Sequence, residues 1–198
     1  MEKKPVAVFA SGSGTTFEAI LQHSKKKDSS FFISSLVSDK EGCRAVGIAR
    51  SNNVDVVKYD QKTSEELLAK KTDLIVLAGF LKIVDSTLLE SFPDHIINIH
   101  PSLLPSFGGR GYYGIRVHRA AIEYGVQYSG FTIHIVNSDV DRGPIIFQYA
   151  VPVLQDDTPE RLQERVHKYE LEYYPPVIQG MLQNGFKKEG NRVLVNFR

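Results

Sequence analysis

Five short strand-like runs separated by stretches of helical periodicity constrain this chain more than any other feature. They are Val6–Ala10, Phe31–Val37, Val54–Tyr59, Asp73–Ala78 and His95–His100. The first is continuously apolar, as in a strand covered on both faces. Between the runs, Phe17, Ile20, Leu21 and Ser24 mark one helix face, and Cys43–Arg50, Ser64–Lys70 and Ser86–Phe92 read as helices, with Ser86 as an N-cap. Strands alternating with helices at this spacing imply right-handed βαβ crossovers. The expected fold is therefore α/β: a mostly parallel, twisted sheet with helices on both faces.

After His100 the pattern changes. Pro101–Ile115 is a long loop rich in Gly, Pro and Tyr, and Val117–Tyr124 is helical. Gln127–Val136 and Ile145–Val153 read as strands joined by the turn at Asp139–Pro144, which is too short for a parallel crossover. The sheet should thus hold about seven strands, one of them antiparallel in the C-terminal half. Thr158 opens a long helix with Pro159 in its first position. Leu162, Val166, Tyr169 and Tyr173 form its apolar stripe, and Pro175 and Pro176 should break or kink it. Residues 186–196 read as a small hairpin around Gly190. No linker divides the chain, so one domain is expected over 1–198, with halves 1–100 and 101–198.

Composition narrows the function classes. The 24 basic and 23 acidic residues nearly cancel, which argues against bulk nucleic-acid binding. The longest apolar run, Leu74–Leu81, is too short to cross a bilayer. Cys43 is the only cysteine and reads as a small apolar helix residue. With no signal peptide visible, a reducing, cytoplasmic setting is expected. The six histidines include no H-E-x-x-H, so no metal is expected, and no G-x-S-x-G elbow marks a serine hydrolase.

Three clusters can carry chemistry. Ser11-Gly12-Ser13-Gly14-Thr15-Thr16 lies between the first strand and first helix, where free N–H groups and the helix dipole attract an anion, typically phosphate. It is neither a dinucleotide fingerprint nor a Walker loop, since Phe17 stands where a third glycine would fall and no Gly-Lys-Ser/Thr follows. Asn98 and His100, at positions i and i+2 of the fifth strand, share a face at the sheet end where ligands bind. An amide beside an imidazole can stabilise an oxyanion and move a proton, or simply satisfy backbone groups at a strand end. Asp141, in the third cluster Asp139–Pro144, can hold His100 or serve only the turn. His134, on the strand leading into that turn, is open between a structural role and a role in the site.

Asn98-Ile99-His100-Pro101-Ser102-Leu103-Leu104-Pro105 resembles the signature of the folate-dependent formyltransferases. The glycine loop, Leu77–Ile83 and Asp141–Ile146 resemble that family's phosphate loop, folate-contact segment and catalytic-aspartate loop, in the same order. Within the family the chain resembles the branch whose acceptor is glycinamide ribonucleotide. The resemblance implies 10-formyltetrahydrofolate as co-substrate and small-molecule partners only, with no nucleic acid or membrane, in a monomer or weak homodimer. It implies that Asn98, His100 and Asp141 are catalytic, and that Gly12, Ser13, Gly14, Thr15 and Thr16 bind phosphate. Glu170 and Pro101 would contact the acceptor. Phe80, Leu81, Lys82, Ile83, Val84, Val136, Asn137, Asp139 and Val140 would line the folate cleft. The chain departs from the family at Thr16, where Asn is usual, and at Lys82, where Arg is common. Its loop at 107–117 is longer than in many members and reads as a mobile lid or an interface. Two other functions share parts of this pattern: formyl transfer to a nucleotide-sugar amine, and non-catalytic phosphosugar binding.

Overall fold

The computed structural model describes residues 2–196, so Met1, Phe197 and Arg198 of the expected 1–198 unit lie outside it. The first half follows the expected alternation: β1 Lys4–Phe9, α1 Thr15–Ser24, β2 Phe31–Ser38, α2 Arg44–Ser51, β3 Asp55–Lys58, α3 Thr63–Ala69, β4 Leu74–Leu77, α4 Ser86–Ser91 and β5 Ile96–His100. The second half adds α5 Ile115–Tyr124, β6 Tyr128–Ile135, β7 Ile145–Pro152, α6 Pro159–Asn184, β8 Phe186–Glu189 and β9 Arg192–Val195.

All strands join one sheet in the order β3-β2-β1-β4-β5-β6-β7-β9-β8. The first five are mutually parallel, and β6 runs antiparallel to both β5 and β7. The two-residue period of β1 explains the layering. Val6, Val8 and Ala10 point into a core shared with α1, α2, α5 and α6, while Ala7 and Phe9 point into a second core with α3 and α4. Strand order reverses between β1 and β4, which opens a crevice at the carboxyl ends of these strands.

The structure corrects five expectations. The sheet has nine strands rather than about seven, because the 186–196 hairpin docks on the β7 edge through Ile145 and Arg192. The N-cap of α4 is Asp85, whose Oδ1 accepts from Leu88 N at 2.9 Å; Ser86 is the first helical residue. A carboxylate at the cap also suits the helix dipole. Cys43 precedes α2 rather than lying in it, with its sulfur 3.4 Å from Ser38 Oγ.

The fourth correction is that α6 runs unbroken through Pro175 and Pro176. An interior proline costs ~3 kcal/mol or more. Here Tyr174, Pro175, Val177 and Ile178 are buried, and the Tyr174 hydroxyl donates toward Leu77 O and Ile97 O at 3.1 and 3.3 Å. That packing against the sheet offsets the missing helical hydrogen bonds. The apolar stripe is also rotated by one residue over its middle. Leu162, Val166, Glu170 and Tyr174 face inward, whereas Tyr169 and Tyr173 lie half-buried on Tyr149 at ring separations of 4.8 and 4.6 Å.

Candidate active site

The crevice at the switch point widens into a cleft of about 950 Å³. Its first wall is the glycine loop. Gly14 occupies the N-cap position of α1 at φ 73, and a Cβ there would lie 2.8 Å from the Ala45 Cα. Only glycine fits both restraints. No side chain caps α1, so its first N–H groups remain available to an anion. Ser11 Oγ ties the loop to Asp39 Oδ1 at 2.6 Å.

The second wall is built by strand register. Antiparallel pairing sets His134 of β6 directly opposite Asn98 of β5. Their side chains meet, Asn98 Nδ2 lying 3.2 Å from His134 Nε2, while His134 Nδ1 lies 2.9 Å from Ile135 O. The donating Asn98 amide requires an unprotonated Nε2, so the neutral ring carries its hydrogen on Nδ1.

Asp141 returns to this pair from the turn after β6, in a left-handed conformation at φ 56. Its Oδ2 lies 3.4 Å from His100 Nδ1 and its Oδ1 lies 3.6 Å from His134 Nε2. The second distance is an electrostatic approach rather than a full hydrogen bond. The long loop closes the cluster from above. Gly109 N donates to Asp141 Oδ2 at 2.9 Å, and Phe107 O lies 2.9 Å from His100 Nε2. The start of this loop is thus pinned to the site rather than free.

The electrostatics follow from these contacts. Burial alone would raise the Asp141 pKa, but the adjoining His134, the charge that His100 carries once protonated and the Gly109 N–H together hold it below the ordinary carboxylate range. Burial dominates at His100 and pushes it below the ordinary imidazole value, against the pull of Asp141 and Phe107 O. A neutral His100 that donates from Nε2 to Phe107 O turns the Nδ1 lone pair toward Asp141. A proton reaching Nδ1 is then stabilised between ring and carboxylate.

Every residue assigned to the site from the sequence lies on this one cleft. Phe80 packs edge-on against Phe9 and Tyr59, at 5.2 and 4.9 Å. Leu81 and Ile83 are 61% and 59% exposed and offer apolar surface to the cleft, whereas Val84 is buried. Lys82 Nζ sits 5.8 Å over the Tyr59 ring. Glu170 is buried and accepts from His167: its Oε2 is 2.9 Å from His167 Nδ1, and His167 Nε2 is 3.0 Å from Thr15 Oγ1. That contact with Glu170 raises the His167 pKa.

Three histidines in the cleft were missed or left open. His134 joins the cluster through strand register. His167 lies three residues before Glu170 on one helix, and that i, i+3 spacing was a readable signal. His118 had no signal beyond being a lone histidine in a helix. It is 1% exposed, and burial, followed by the nearby charge of His100, lowers its pKa to about 4.

The depressed His118 pKa sets a stability prediction. The unfolded chain takes up a proton near pH 6.5 and the folded protein only near pH 4, so folding stability falls as pH drops through that window. The loss attributable to this group is about 3 kcal/mol in all. Urea unfolding of His118→Leu at pH 7 and pH 5 should show a smaller acid loss than the parent. An equal loss in both proteins would contradict this assignment.

The largely parallel sheet, the cleft at its switch point and the uncapped helix beside it define a Rossmann-like α/β protein with a free helix N-terminus next to a buried polar cluster. The chain belongs to the formyl transferase family, whose sequence model matches residues 4–178. It is 38% identical over 203 residues to the chloroplastic phosphoribosylglycinamide formyltransferase of Vigna unguiculata, covering 96% of this chain and 65% of that protein. It is 35% identical over 200 residues to the phosphoribosylglycinamide formyltransferase of Bacillus subtilis, covering 96% of this chain and 99% of the relative. The fold superposes on glycinamide ribonucleotide transformylase 1 from Symbiobacterium toebii with a TM-score of 0.89 at 36% identity, over 98% of this chain and 94% of the other.

Proposed function

We propose that the protein transfers the formyl group of 10-formyltetrahydrofolate to the amine of glycinamide ribonucleotide, a step of de novo purine biosynthesis. One observation carries the reading. The loop suited to a phosphate and the Asn98–His100–Asp141 cluster, with its 3.4 Å His–Asp contact, open onto the same cleft. A phosphorylated acceptor anchored on Gly12–Thr16 and reaching past Glu170 and Pro101 brings its amine to that cluster. The exposed apolar edge of Leu81 and Ile83, with Phe80, Val84 and Lys82 on one side and Val136, Asn137, Asp139 and Val140 on the other, suits a flat heteroaromatic ring. The folate supplies the formyl carbon there.

The amine attacks that carbon, the bond from carbon to the folate nitrogen breaks, and one proton passes from the amine to the departing nitrogen. Asn98 Nδ2 stabilises the negative charge that develops on the formyl oxygen, and a proton taken up at His100 Nδ1 adds positive charge nearby. Asp141 orients His100 and holds the proton in transit near Nδ1. Holding both substrates in one cleft removes much of the entropic barrier. The residues act as a single unit, 1–100 supplying the anion loop, Asn98, His100 and one wall of the donor side, and 101–198 supplying Asp141 and the other wall, in a cytoplasmic, reducing compartment.

A formyl-transfer assay with exchanged acceptors tests this reading. Turnover with the ribosyl glycinamide phosphate should exceed that with an amino nucleotide-sugar by at least about 10²-fold in kcat/KM. Preference for the nucleotide-sugar, or binding of phosphosugars with no transfer to any amine, would contradict it.

A further inference from the structure

On α5, Val117, His118 and Ala121 make the inward-facing stripe, and all three are buried. Position 118 is thus one where a leucine of similar volume would satisfy the fold. Histidine there carries a cost, because its Nδ1 is enclosed and has no hydrogen-bond partner among the described residues. Leaving such a group unpaired costs about 1–3 kcal/mol. The other five histidines all have recorded partners: Gln179 for His23, Pro93 O for His95, Phe107 O for His100, Ile135 O for His134, and Glu170 and Thr15 for His167. The exception also lines the cleft.

We infer that His118 is a positioning residue of the transfer site, its Nδ1 holding a water molecule at the buried end of the cleft beside His100. The low pKa keeps the ring neutral throughout the working pH range, so it offers one donor and one acceptor and brings no charge to compete with His100. A buried water needs polar partners, and His100, near enough for its charge to act on the His118 ring, lies on the same cleft with Asn98 and Asp141. Water held there can take a proton from the attacking amine and return one to the departing nitrogen, with no net consumption. Local rules broken without structural gain are expected where function is placed.

This inference rests on the formyl-transfer reading, and three variants separate the two. His118→Leu fills the volume and removes both nitrogens. His118→Asn keeps a polar atom near the Nδ1 position, and His118→Gln keeps one near Nε2. In the steady-state assay, His118→Leu should lose at least about tenfold in kcat, with both KM values within about twofold of the parent. Its melting temperature should be unchanged or higher. His118→Asn should recover most of the rate and His118→Gln should not. A His118→Leu rate within about twofold of the parent, a rate loss paralleled by a lower melting temperature, or equal rescue by Gln and Asn would overturn the assignment. If His118→Leu does not fold, Asn against Gln decides: a faster Asn variant supports the water site, and equality or the reverse overturns it. An inactive parent would instead sink the transferase reading, whereas an active parent with an unaffected His118→Leu would sink this inference alone.

Discussion

Asp141→Asn should lower kcat by roughly 10²–10⁴-fold while the protein stays folded and the acceptor KM changes little. Asparagine matches aspartate in volume but has no charge to give His100 and only one acceptor oxygen. Asp141 uses both of its oxygens: Oδ2 meets Gly109 N–H and His100 Nδ1, and Oδ1 faces His134. The amide can keep its oxygen on Gly109 N–H and turn its N–H₂ group toward the unprotonated His134 Nε2, so both neighbours still find a suitable partner. The fold should therefore hold. The larger consequence is chemical, because a proton arriving at His100 Nδ1 no longer meets an anion. Steady-state kinetics beside a thermal melt would read both effects. A folded variant within tenfold of the parent rate would show that the carboxylate does not support transfer.

Gly143→Ala should destabilise the fold by about 3 kcal/mol or more and abolish turnover in what remains folded. A Cβ at Gly143 would lie 1.7 Å from Ile135 O and 2.9 Å from its carbonyl carbon. Both are backbone atoms of β6 and cannot rotate away. The chain must open where Ile135 N now donates to Pro144 O at 2.9 Å. The same shift moves Ile135 O off His134 Nδ1 and displaces Asp141, two residues earlier. Gly42→Ala is the matched control, since a Cβ there meets nothing within 4 Å. Urea unfolding should separate the two variants clearly, and similar midpoints would mean that the turn tolerates a side chain.

The sequence made the parallel half of the fold readable because its strands and helices declare themselves by local periodicity. Val6–Ala10 and residues 74–78 are buried on both faces, and nothing distant is needed to recognise them. The same holds for Asn98 and His100, whose shared face follows from strand geometry alone. What escaped depends on contacts between distant segments. The hairpin at 186–196 was visible, but its docking on the β7 edge was not. Pro175 and Pro176 stay helical because the sheet beneath them buries their neighbours, a tertiary term that local propensity cannot include. Phe107 O and Gly109 N clasp His100 and Asp141 through main-chain atoms, which leave no side-chain signature. His118 is hidden for another reason: its burial and its unpaired nitrogen exist only once α5 is folded against the cleft.

The whole account requires the acceptor amine and the donor carbon to meet beside Asn98, His100 and Asp141. A crystal structure with glycinamide ribonucleotide and a non-transferable folate analogue would measure this directly. The expected result is a phosphate on the Gly12–Thr16 loop and an amine roughly 3–3.5 Å from the position of the transferable carbon, with Asn98 Nδ2 facing its oxygen. A phosphate bound elsewhere, or reacting atoms held apart on a side of the cleft that Asn98 and His100 do not reach, would contradict it.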